Sequence, residues 1–276
     1  MELQLSQPAI SHAIATLEAE LGVPLFSRGR HGAVLTPAGE RVLGHARQAL
    51  HSLEQMQQEA DLYKGLQGGR IRLASFRSVA THLLPKVMVQ FRDRYPAVSV
   101  TILERPDYLD IEQCIREGRA EIGITYLPTG EEFEAWELLR DEYLVLLPPK
   151  ATINGTRLTW NDLAAYPLVM LPCLPCGRIL YQHLKTLAPP LPFASDIQED
   201  STILGMVMQG LGAAILPKLA AEPIPELLQI HPLPAPLERV IGAAVLSDAL
   251  HTPAVYAFLD VLKQFDLKQL ATIPSR

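Results

Sequence analysis

The sequence predicts an α/β protein in which a small helix-and-hairpin unit and a long helix precede a two-lobed α/β region. Three observations carry this. A capped amphipathic helix is followed at once by a basic, glycine-punctuated hairpin. A second helix then shows a seam of apolar residues, and from Arg70 onward short apolar strands alternate with helical patterns.

The chain has 276 residues, 48% of them hydrophobic, so it can bury core in two or three compact units. No apolar run is long enough to span a bilayer, and no basic-then-apolar leader opens the chain. A soluble, cytoplasmic protein without a membrane role is expected. Three cysteines do not make a disulfide framework and suit a reducing compartment. The net charge of −6 gives no global attraction to nucleic acid, so any DNA contact must come from a local patch.

Such a patch lies at the start. In SQPAISHAIATLE, Ser6 is a suitable N-cap and Pro8 falls in the first turn, where its missing N–H costs nothing. Ile10, Ile14, Leu17 and Leu21 share one helical face, and Gly22 follows as a stop. Gln7, Ser11, His12, Ala15 and Thr16 make the other face, suited to base edges or equally to plain solvent. Leu25-Phe26 and Val34-Leu35 then flank SRGRHGA, where Arg28, Arg30 and His31 cluster with no acid between Glu20 and Glu40. A helix followed by a basic hairpin is the outline of a winged helix, the hairpin holding phosphates while the helix meets bases.

The ordered run LSQPAISHAIATLEAELGVPLFSR…LTPAGE resembles the N-terminal domain of the LysR-type transcriptional regulators, with SQPALS opening the recognition helix, LGVxLFxR leading into the wing and LTxAG starting a linker helix. The resemblance implies a DNA interface of Ser6, Gln7, Pro8, Ser11 and His12 toward the major groove, with Arg28 and Arg30 on the backbone. His12 stands where the family commonly has arginine. Only MELQL precedes the motif, so a truncated winged helix-turn-helix is expected, lacking its first helix and most of its second.

Thr36 can cap a helix with Pro37 at its first position, and Leu43, Ala46, Leu50 and Leu53 follow at alternating spacings of three and four. This is either a short coiled-coil seam or a face packed within the chain. In the resembled family the helix dimerises, which implies a homodimer or homotetramer. Gly65, Gly68 and Gly69 are read as its end and a hinge.

Beyond Arg70 the pattern runs strand Ile71 to Ala74, a helix through Leu83, Val87 and Phe91 to Pro96, strand Val98 to Leu103, helix Ile111 to Glu117 and strand Glu121 to Thr125. A second set begins near Leu168, with strand LVML, helix 177–187, a segment around Ile197, helix 201–210 and strand Ala213 to Leu216. A last helix carries Val255, Phe258, Leu259 and Leu262 behind a Thr252 cap. The alternation predicts a parallel sheet flanked by helices, in two lobes with a cleft. EGRAEIGI (Glu117 to Ile124) and QGLGAAILP (Gln209 to Pro217) are similar to LysR-type hallmarks. That family's effector domain shares the fold of periplasmic solute-binding proteins. The domains are read as 1–36 (DNA-binding), 37–66 (linker helix) and 67–276 (effector-binding), with lobe I at 70–146 and 251–276 and lobe II at 147–250.

Ligands in open α/β sheets sit beyond the carboxyl ends of strands. Ser75, Arg77, Ser78, Thr125, Cys173, Arg178 and Ser201 occupy such positions and are the candidate effector-binding residues. In the resembled family the position of Ser78 often contacts the effector. Arg77 can pair with an effector carboxylate or with a surface acid, and helix-start serines serve as caps or as ligand contacts. Arg77 and Arg178 point to a small organic anion. Cys173 and Cys176 form C-x-x-C at a helix start, an arrangement open to redox sensing or to lining the cleft. Cys114 and His183 are the remote candidates for completing a zinc site there.

No catalytic constellation, metal cluster or cofactor motif is evident, so no catalytic residue, metal or cofactor is expected. Two functions follow: a regulator that binds promoter DNA and senses a small molecule, or a small-molecule-binding module that no longer reads DNA.

Overall fold

The computed structural model describes residues 6–29, 32–63, 68–169, 178–195, 197 and 199–265. The chain divides into two compact units, residues 1–58 and 59–276.

In the first unit, α1 spans Gln7–Leu21 and is closed by Gly22 at φ 69°, the left-handed conformation that glycine adopts without a Cβ clash. Ser6 occupies the N-cap position but, against expectation, its hydroxyl caps nothing; its carbonyl accepts the amide of Ile10 at 3.1 Å. Strands β1 (Phe26–Gly29) and β2 (Gly32–Leu35) pair antiparallel, with Phe26 opposite Leu35. Glu18 ties helix to hairpin, its Oε1 accepting the amides of Leu25 at 2.6 Å and Phe26 at 2.9 Å. Thr36 ties hairpin to the next helix, α2 (Pro37–Tyr63). Its Oγ1 donates to the Pro24 carbonyl at 2.8 Å and accepts the Gly39 amide at 3.0 Å, the cap that the sequence anticipates. Leu25 is buried, and Gly39 faces its carbonyl with no room for a side chain. Farther along α2, Leu50, Leu53 and Met56 stand exposed.

In the second unit, β3 (Gly69–Ser75) leads through α3 (Arg77–His82) and α4 (Leu84–Arg94) to β4 (Val98–Glu104), then α5 (Tyr108–Arg116) and β5 (Ile122–Tyr126). These three strands are parallel, with β3 between the other two. The helical pattern expected to run unbroken to Pro96 is split at Leu83, because Pro85 has no amide with which to continue the ladder from α3. Gly69, expected in a hinge, instead begins β3 beside Val98.

The long β6 (Phe133–Leu147) follows, then α6 (Trp160–Ala164), β7 (Leu168–Val169), α7 (Arg178–Leu187), β8 (Phe193–Ser195), α8 (Asp200–Met208), β9 (Ala214–Pro217), α9 (Lys218–Ala221), β10 (Gln229–Pro232), β11 (Glu238–Leu246) and α10 (Pro253–Gln264). The main sheet has seven strands in the order β10-β6-β11-β5-β3-β4, with β9 also on β6. It is mixed rather than parallel, as β11 runs antiparallel to both β5 and β6. The long antiparallel pair joins the two lobes. The first part of β6 pairs with β11, and Tyr143–Leu147 continue between β9 and β10.

Two sets of cores follow from this path. Ile71, Leu73, Phe91, Ile122, Ile241 and Phe258 belong to the first, between the parallel strands and α3, α4, α5 and α10. In the second lobe, Val145 and Leu147 face Leu163, Leu168 and Leu184, while Leu146 faces Ile203 and Val207 on the opposite side of the strand. Strand periodicity of two produces this division. Thr252, anticipated as the cap of α10, uses its carbonyl instead, accepting the Val255 amide at 3.0 Å. Its buried hydroxyl has no partner among the described residues.

Candidate functional site

At the N-cap and along the first turns of α1 the side chains of Ser6, Gln7, Pro8, Ser11 and His12 are all exposed. Gln7 and Ser11 are spaced to share one helical face, with His12 about 100° farther round the helix. Thr16 donates to the His12 carbonyl at 3.0 Å, so its hydroxyl is turned back onto the helix. Arg28 lies on β1 opposite Ala33; Arg30 and His31 fall outside the described residues. Helix and hairpin are fixed to each other by the two amide bonds to Glu18.

In the second unit Ser75, Ser78 and Thr125, three of the residues expected beyond strand ends, lie on β3, α3 and β5, with the ends of β3 and β5 side by side. Ser75 ends β3, is fully buried and donates its hydroxyl to the Phe76 carbonyl at 2.9 Å. Thr125, near the end of β5, is equally buried, and its Oγ1 has no partner among the described residues. Ser78, in the first turn of α3, is buried and accepts Nη2 of Arg239 at 2.9 Å.

Arg239, near the start of β11, is the centre that sequence reasoning missed. Its Nε donates to Asp141 Oδ2 at 2.8 Å and its Nη1 to the Tyr126 hydroxyl at 2.7 Å. The guanidinium carbon lies 5.0 Å from the Phe76 ring centre and 5.4 Å from that of Tyr126. The other oxygen of Asp141 accepts the Leu219 amide at 3.0 Å, at the start of α9. One buried cation thus joins α3, β5, β6 and, through Asp141, α9. Burial opposes its charge, but Tyr126, Asp141 and Tyr143 outweigh that and hold its pKa above the ordinary value. Because arginine only donates, Ser78 and Tyr126 must accept from it.

Arg77 forms the surface-acid pair that the sequence left open. Its guanidinium meets the Glu199 carboxylate in a two-pronged ion pair, Nη1 to Oε2 and Nη2 to Oε1 at 3.1 Å. Glu199 raises the Arg77 pKa. The next residue, Asp200, is half-buried; burial pushes its carboxyl pKa up, against the pull of Arg239 and Arg77. Ser201 follows on α8 and is exposed. Arg178, first residue of α7, is exposed and pulls down the pKa of Asp107, the cap of α5, which burial nonetheless raises. Its neighbour Ile179 packs against the first core, so α7 also begins at the junction. Cys173 and Cys176 lie outside the described residues.

Cys114 is buried, its sulfur accepting Nε of Arg105 at 3.2 Å, and His183 Nε2 sits 2.9 Å from the Ala235 carbonyl. Among the described residues no group of three or more His, Cys, Asp or Glu could hold a metal ion. No helix among them is long and apolar enough to cross a membrane.

Two family models match the chain. That of the LysR substrate binding domain covers residues 64–266, and that of the bacterial regulatory helix-turn-helix protein, lysR family, covers residues 1–40. The chain is 53% identical over 264 residues to a protein of Synechococcus elongatus named as a probable HTH-type transcriptional regulator LrrA, covering 96% of this chain and 90% of that one. The crystal structure of CbnR, a LysR family transcriptional regulator, shares the fold with a TM-score of 0.67 at 19% identity, covering 97% of this chain and 91% of that one. HinK, a LysR family transcriptional regulator from Pseudomonas aeruginosa, gives 0.64 at 25% identity, over 96% and 90% of the two chains.

Proposed function

The chain belongs to the LysR family of transcriptional regulators, and from that premise we propose that it binds promoter DNA as a homodimer or homotetramer and responds to a small organic anion held between its lobes. In this reading residues 1–36 bind DNA, 37–66 dimerise and 67–276 hold the effector. Ser6, Gln7, Pro8, Ser11 and His12 approach base edges, while Arg28 and Arg30 contact phosphates. The exposed row Leu50, Leu53 and Met56 on α2 supplies the apolar seam between copies.

The effector rests against Ser75, Arg77, Ser78, Thr125, Arg178 and Ser201, with Cys173 at the same cleft. Arg239 orients Ser78. The protein acts by binding, not by catalysis, and works in the cytoplasm. For the effector to alter transcription it must bind one arrangement of the assembly better than another, since equal affinity shifts nothing.

The observation that carries the DNA-binding reading is the exposed polar face of α1, held at a fixed angle to the hairpin by Glu18. A mobility-shift assay of the full chain on the intergenic DNA beside its own gene tests it. The expected result is a sequence-dependent, salt-sensitive shift. Arg28→Ala should weaken it on every sequence and lower the salt slope by about one. A chain that binds small molecules but gives no such shift is a sensing module instead.

A further inference from the structure

The Arg77–Glu199 pair joins the two lobes. Arg77 opens α3 on the first core, and Glu199 precedes α8, whose Ile203 and Val207 lie in the second lobe. Both side chains are about half exposed, 52% and 53%, so water screens the pair and it is held weakly. Its geometry is nevertheless the fork in which a guanidinium receives any carboxylate. Glu199 also stands at the N-cap of α8 and makes no capping bond. Its carboxylate leaves the amides of its own helix for Arg77, although a helix start is a favourable place for an acid. Glu199 therefore has two places to go, Arg77 across the junction or the first turn of α8.

Building on the effector-cleft reading above, we propose that Glu199 is a built-in substitute for the acid group of the effector. It occupies Arg77 in the ligand-free chain and latches the lobes. A ligand carboxylate takes its place, and Glu199 falls back onto α8. The ligand class is a small carboxylate, and binding exchanges one carboxylate for another on the same guanidinium. Burial raises the carboxyl pKa of Asp200, adjoining Glu199, against the pull of Arg239 and Arg77.

Calorimetric titration of the full chain with succinate at fixed ionic strength, with uncharged succinamide as control, tests the exchange. Removing the competitor in Glu199→Gln should tighten succinate about two- to six-fold, the most that an exposed pair of this kind can withhold. Arg77→Gln should weaken it about tenfold, and the double variant should match Arg77→Gln alone. Succinamide should not distinguish the variants. Thermal unfolding of the ligand-free variants within a degree or two of the parent keeps a folding defect apart from an affinity change.

The proposal is overturned by any of three results. Glu199→Gln could bind succinate no more tightly than the parent, its gain could persist without Arg77, or succinate could bind none of the proteins. Ser78→Ala separates this from the cleft reading. It weakens succinate in every background if the effector sits at the junction, whereas the Arg77 and Glu199 pattern alone decides the exchange.

Discussion

Arg239 and Asp141 form an ion pair at 2.8 Å with side-chain exposures of 5% and 4%, on the two antiparallel strands, β11 and β6, that carry the chain from one lobe to the other. The carboxylate has a second bond, to the Leu219 amide, and the guanidinium two more, to Ser78 and Tyr126. Charges removed from water this fully persist only when their hydrogen bonds are made. The pair therefore fixes where α3, β5 and α9 sit relative to the lobe-crossing strands.

Removing one partner should be costly. Arg239→Met leaves the Asp141 carboxylate buried without its cation and should cost about 3–5 kcal/mol. Arg239→Met with Asp141→Leu should recover part of that, because no charge is stranded although the Leu219 amide loses its acceptor. Urea unfolding followed by circular dichroism measures both. A double variant no more stable than Arg239→Met would show that the pair contributes through something other than mutual neutralisation.

Glu18 holds the hairpin to the helix through one oxygen that accepts two amides. In Glu18→Ala the Leu25 and Phe26 amides lose that acceptor, at about 1–3 kcal/mol for each such group that stays dry. Mobility shifts should show DNA affinity falling at least about tenfold, a loss of about 1.4 kcal/mol. Ligand binding to residues 59–276 should be unchanged. Equal loss on specific and random DNA would point to the hairpin; loss of discrimination would point to α1.

Gly39 explains why the LTPAGE stretch requires a glycine. A Cβ there would run into the Leu25 carbonyl oxygen and touch Leu35, and the obstacle is backbone, which cannot step aside as a side-chain tip could. Gly39→Ala should cost about 1–3 kcal/mol, as overpacking does, although alanine favours helix elsewhere. A neighbouring control is Gly44→Ala, where nothing lies within 4 Å of the added carbon. It should be neutral or stabilising, and DNA binding should follow the same order.

The sequence is most legible where local chemistry decides the structure. The left-handed Gly22, the Thr36 cap and the Arg77–Ser78 helix start follow from residue types within a few positions of one another. β6 is hidden, because FEAWELLRDEY carries Glu137 and Arg140 in half-exposed positions, where Arg140 pairs with Glu137 and with Glu238. That charge pattern reads as solvated surface rather than as strand. Arg239 was hidden for a different reason. It directly precedes the apolar run VIGAAVL and looks like an edge cation. What buries it lies 98, 113 and 161 residues away, at Asp141, Tyr126 and Ser78. A lone arginine beside a fully apolar strand is the signal that could have found it.

Asp162 links stability to pH with a definite sign. It is the third residue of α6 in a capping box, accepting the Thr159 hydroxyl at 2.6 Å and the amides of Thr159 and Asn154 at 3.0 Å each. The Thr159 hydroxyl, and then the two amides, stabilise the carboxylate and hold its pKa at about 2, against an ordinary 3.8. A depressed folded pKa gives stability that is fully present above the unfolded value and is lost as pH falls through the folded one. Asp162→Asn removes the charge and turns an NH2 toward donors. Its melting temperature should therefore lie a few degrees below the parent at pH 6 and above, with the gap narrowing from pH 4 toward pH 2. Asp107 and Asp200 behave oppositely, since burial raises their pKa values and ionising them as pH rises costs stability. Both proteins share that trend, so it cancels in the difference curve. A gap that stayed constant from pH 7 to pH 2 would mean that Asp162 acts by shape alone.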